Sequence, residues 1–116
     1  MSELKTLFAF RFNADLDAYH ARLIKEATNM RIGDVENLWK DTPGRGRIAP
    51  GVGIHLWRPS GEPNDWQIDA TAQGAGYDTA AVEACRQRLL ELLPRISVTW
   101  REIIPGSAAG VTDGQR

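Results

Sequence analysis

Val52-Gly-Ile-His-Leu-Trp-Arg58, then Pro59 and the turn-rich Ser60-Gly-Glu-Pro-Asn-Asp65, then Trp66-Gln-Ile-Asp-Ala-Thr-Ala-Gln73: this stretch decides the fold. Its two arms alternate large apolar with small or polar residues at a period of two, the pattern of half-buried strands. Glycine and proline between them mark a hairpin loop. An antiparallel pair at mid-chain therefore anchors whatever lies on either side.

Working outward, Leu4 to Phe12 reads as a strand with Phe8, Phe10 and Phe12 on one face. A helix is expected next, with Asn13 as N-cap and Asp15 and Asp17 in its first turn, where acidic groups suit the helix dipole. Its stripe is Leu16, Tyr19, Leu23, Ala27 and Met30. Gly33 ends it, and Asp34 caps a short second helix through Val35, Leu38 and Trp39. Thr42 to Gly51 reads as a loop, so residues 31–51 form an insertion before the hairpin. After the hairpin, Gly74-Ala-Gly76 leads into a helix capped by Asp78, with Val82, Cys85, Leu89 and Leu92 as its stripe and Pro94 as its stop. Ile96 to Ile103 is the last strand.

The order is strand, helix, strand, strand, helix, strand: an α+β chain with the ferredoxin-like split βαβ arrangement, βαββαβ. A four-stranded antiparallel sheet in the spatial order 4-1-3-2 follows, with both helices on one face. The expected organisation is a single domain over residues 1–105 and a small, polar, disordered tail over 106–116. The architecture is similar to that of the dimeric α+β barrels, whose sheets pack open face to open face. That likeness implies a homodimer with a small-molecule pocket and no organic cofactor or metal.

Composition narrows the function. The chain has 116 residues, a net charge of −1, 25% charged residues and one cysteine. That is an ordinary globular balance, without the basic surplus that phosphate neutralisation by nucleic-acid binders requires. No nucleic-acid partner is expected. No apolar run has the length of a membrane span and no leader pattern opens the chain, so no membrane contact and a cytoplasmic location are the expectations. Cys85 lies in the apolar stripe of its helix and reads as a packed thiol.

Parity sets the open face: Leu7, Ala9, Arg11; Gly53, His55, Trp57; Gln67, Asp69, Thr71, Gln73; Ser97, Thr99, Arg101. Sharing of one face by Leu56 and Ile68 sets His55 opposite Asp69 and Trp57 opposite Gln67, with Arg11 near Gln67 and Asp69. His55 and Asp69 are the catalytic candidates. A carboxylate that accepts one imidazole N–H fixes the tautomer and raises the basicity of the other nitrogen, as a general base requires. Arg11, Trp57, Gln67 and Arg101 are the ligand-binding candidates, the arginines for an anionic oxygen and the indole as a pocket wall. The plain alternative is a cross-strand polar pair on a wet sheet face. Two separated histidines and one cysteine make no metal site. The run Gly44-Arg-Gly-Arg-Ile-Ala49 imitates a dinucleotide fingerprint, but no strand precedes it and Pro50 follows it where a helix should start.

Two functional expectations result. The first is a binder of a small, anionic or aromatic molecule on the open face, extending to cofactor-independent catalysis by the His55–Asp69 pair. The second is a non-enzymatic protein-interaction module, regulatory or inhibitory, using that face or the 42–51 loop.

Overall fold

A computed structural model describes residues 4–32, 44–74 and 76–103. Strand β1 (Leu4–Asn13) leads into helix α1 (Ala18–Thr28) and the short strand β2 (Met30–Ile32). Strands β3 (Gly44–Ala49), β4 (Val52–Trp57) and β5 (Asp65–Gln73) follow, then helix α2 (Thr79–Ile96) and strand β6 (Thr99–Ile103). All neighbours are antiparallel, in the order β2-β3-β4-β5-β1-β6.

Among the described residues the fold is α+β with two helices, and the sheet has six strands where four were expected. The expected four keep their neighbour relations as β6-β1-β5-β4. The additions lie in the insertion: Met30 opens β2 instead of closing α1, and the supposed loop contains β3. Glycine at Gly44 and Gly46 disguised that strand, and the physical reason for one of them is close approach. A Cβ added at Gly46 would stand 2.4 Å from Met30 Cα and 2.9 Å from the Asn29 carbonyl oxygen, so only glycine lets β3 lie against β2. The short helix expected at Asp34 to Trp39 and the tail 106–116 lie outside the described residues.

Helix α1 starts later than expected. Asn13 stays in β1, and Asp17 is the N-cap, its carboxylate accepting from the His20 N–H at 2.9 Å. The helix ends at Asn29, which takes the left-handed conformation (φ 60°, ψ 26°) that asparagine tolerates. Arg88 of α2 donates Nε–H to the Ala27 carbonyl at 2.8 Å, satisfying an acceptor the helix end leaves free. For α2 the Asp78 cap is as expected, accepting from the Ala81 N–H at 3.1 Å. Pro94 does not stop that helix, which runs on to Ile96. Ile96 and Ser97 therefore leave the last strand, and Val98, expected in the core, is exposed.

The core lies between the helices and one face of the sheet. Phe8, Phe10, Phe12, Val52, Ile54, Leu56, Trp66, Ile68, Ala70 and Ala72 fill it from the strands, all buried as parity required. Ile24, Cys85, Leu89 and Leu93 meet them from the helices. Each large side chain so buried contributes about 1.5–3 kcal/mol. Trp100 also faces this side, its ring centroid 6.3 Å from that of Phe10. Beside it Glu102 accepts Nε–H and Nη2–H of Arg86, both at 2.8 Å, which fastens α2 to the edge strand. Among the described residues no helix is long and apolar enough to cross a membrane.

Candidate functional site

The open face carries the site because cross-strand partners share a face. His55 is opposite Asp69, and Trp57 opposite Gln67. Arg11 is opposite Gln67 on one side and Arg101 on the other. All six candidate residues therefore stand on one surface. Ser97 drops from it into the α2 cap. Leu7 drops from it as well, because β1 carries a bulge between Thr6 and Phe8 and Leu7 packs half-buried against the core.

The side-chain contacts distribute these residues differently from a catalytic relay. Asp69 Oδ2 accepts the Trp57 indole N–H at 2.7 Å, and Oδ1 accepts the Gln67 amide at 2.8 Å. Among the described contacts His55 makes no hydrogen bond to Asp69. Its Cε1 lies 3.9 Å from the point where a Cβ on Gly53 would stand, so the imidazole lies along the strand toward Gly53, at ordinary contact distance. Asp69 orients the indole, and among the described residues no carboxylate accepts a hydrogen bond from His55.

Arg11 is gripped by a residue the sequence reading placed in the loop. Asp65 opens β5 opposite Asn13 and accepts Nε–H of Arg11 at 2.7 Å and Nη2–H at 2.6 Å. Ser60 donates its hydroxyl to the same carboxylate at 2.6 Å. Such a fork-to-fork pair fixes the guanidinium plane as well as its charge. The Arg11 hydrogen bonds, helped by Ser60 and by the fields of Arg11 and Arg101, hold the Asp65 carboxyl below its usual range against the opposing effect of partial burial. The same contact raises the Arg11 guanidinium, which stays a cation. The available signal for Asp65 was its distance from Arg11 along the β1–β5 register: same face, one pair on.

Around this pair opens a cleft of about 460 Å³, lined by Arg11, Phe12, Asn13, Asp65, Thr99, Trp100 and Arg101. Arg101 faces it on the edge strand, and among the described residues it forms no ion pair. Arg11 is neutralised by Asp65, so Arg101 is the cation available to an incoming anion. At the other side of the sheet β3 brings Arg45 opposite His55 and Arg47 opposite Gly53. Both side chains are exposed. The sequence reading held them in a loop, because alternation of arginine with glycine carries no apolar signal.

No group of three or more metal-ligating side chains is present among the described residues. Cys85 is fully buried, 3.6 Å from the Ala27 carbonyl oxygen, and burial pushes its thiol up, which suits packing and not nucleophilic attack. Compared with known family models, with curated proteins and with solved structures, the chain matches none.

Proposed function

We propose that this chain binds a small anionic molecule carrying a planar group, on the open face of the sheet and without catalysing its turnover. One observation carries the reading: the cleft beside Arg11 and Arg101, where one guanidinium is fixed by Asp65 and the other faces the opening. An anion entering there gains a charge-assisted hydrogen bond from Arg101 without displacing an existing partner. Trp57, held by Asp69, offers a ring of fixed orientation two strands away from Arg11. Binding is favoured over catalysis because both oxygens of Asp69 already accept hydrogen bonds and His55 leans toward Gly53. The fold reading that accompanies this proposal is a ferredoxin-like split βαβ unit, β6-β1-β5-β4, widened at one edge by the β2–β3 hairpin.

A thermal-shift titration with benzoate, inorganic phosphate and uridine monophosphate tests it, with neutral benzamide as control. The expected result is stabilisation by the anions, none by benzamide, and loss of the effect in Arg101→Gln. Absence of any shift with all three anions, or an unchanged response in Arg101→Gln, overturns the reading.

A further inference from the structure

The open face is far more basic than the chain. Among the described side chains it carries Arg11, Arg45, Arg47 and Arg101 against Asp65 and Asp69, a surplus of two positive charges, while the whole chain has a net charge of −1. Asp65 is consumed by Arg11 and Asp69 is occupied by neutral donors. The arginines also fall into two pairs at opposite sides of the sheet. Arg11 and Arg101 are cross-strand partners on β1 and β6, and Arg45 and Arg47 lie two residues apart on β3. Three strand spacings separate β1 from β3, about 14 Å, more than one phosphate or carboxylate covers. Between the pairs stand Trp57 and His55, half-buried, with the indole held in place by its N–H bond to Asp69.

Cations at both ends with a fixed indole between them suit a chain of alternating phosphates and planar rings. We infer that the ligand of this face is a short single-stranded nucleic acid, its backbone running from Arg11 and Arg101 to Arg45 and Arg47 and one base stacked on Trp57. Proteins that hold single strands without reading sequence combine these elements: a positive track along the backbone and aromatic side chains under the bases. Net charge argued against such a partner, but net charge averages over the surface, whereas a polyanion meets one face. The strand β3 changes the balance, because as a loop Arg45 and Arg47 would have no defined relation to Trp57.

This inference rests on the proposed anion site, and ligand length separates the two. Binding of uridine monophosphate and of oligouridylates of two, four and eight nucleotides is measured by tryptophan fluorescence or anisotropy, alongside inorganic polyphosphate of matched charge. The expected result is roughly a tenfold or larger gain from monomer to octamer, with the octamer losing about tenfold in Trp57→Leu. Its affinity should fall with salt at a logarithmic slope of about −2, as for three released counterions on a single strand. Arg45→Gln/Arg47→Gln should remove the gain with length while leaving the monomer's affinity and the melting temperature unchanged. A monomer that binds with no gain in length overturns the oligonucleotide and leaves the small-anion site standing; no binding by either overturns the oligonucleotide, and the small-anion site with it when benzoate and inorganic phosphate also fail to bind. Polyphosphate binding as tightly as the octamer, with no effect of Trp57→Leu, also overturns the inference.

Discussion

The two faces of this sheet are made from the same six strands, yet different forces specify them. On the covered side Phe8, Phe10, Ile54, Leu56 and Ile68 are all at most 1% exposed, held by non-directional burial that accepts any well-shaped apolar neighbour. On the open side Asp65 and Asp69 each choose named donors at 2.6–2.8 Å, and an ångström decides which donor wins. The first face tolerates error in partner choice but not loss of volume. The second is the reverse: it contributes little to stability, and its chemistry depends on which groups touch.

The largest expected break of that contrast is Phe10→Ala. Removal of a fully buried ring leaves a cavity among Phe8, Trp100 and the helices, and should cost about 3–5 kcal/mol in urea unfolding. Gln67→Ala on the opposite face should stay within roughly 1 kcal/mol. Equal losses from the two would show that the open face is buried in the native assembly. Next is Gly46→Ala at the widened edge. The new methyl meets the Met30 backbone, so the expected cost is about 1–3 kcal/mol, with amide exchange accelerated first in β2 and β3. Normal protection of those strands in the variant would break the account of why this position is glycine.

The smallest effect sharpens the open face alone. Asp65→Asn keeps the shape but removes the charge that grips Arg11, at a cost on the order of 1 kcal/mol at neutral pH for a partly buried pair still screened by solvent. Because the folded Asp65 carboxyl titrates below its unfolded value, its contribution is complete above the unfolded value of about 3.9. It fades as pH falls from there through the lower folded value. The stability gap between native and Asp65→Asn protein should therefore be flat at neutral pH and close below about pH 4. A gap that does not narrow at all as pH falls below about 4 would assign the effect to packing.

Much of the fold was legible, and the reason lies in the period of the strands. Three phenylalanines at a spacing of two, and the alternation through Val52–Trp57 and Trp66–Gln73, can be satisfied only with one face inward. That parity alone set His55 opposite Asp69 and Trp57 opposite Gln67, as the register has them. Boundaries were less legible. Asp17 replaced Asn13 as a cap, and Pro94 was carried within α2, because local signals at helix ends compete with several near neighbours. Strand β3 was invisible for a different cause: its evidence is the backbone of Met30, distant in sequence from Gly46, and no local pattern records a close approach.

The sequence by itself determined which residues of β4, β5 and the Phe8–Phe12 part of β1 face the helices and which face away, since burial of apolar area is read from residue type and period. Only the tertiary structure decided what the outward residues do. It gave Asp69 to Trp57 and Gln67 instead of His55, Arg11 to Asp65, and Arg45 and Arg47 to the same surface as Trp57. Hydrogen-bond partners are chosen by distance and angle between groups far apart in the chain, and those are set once the strands have paired.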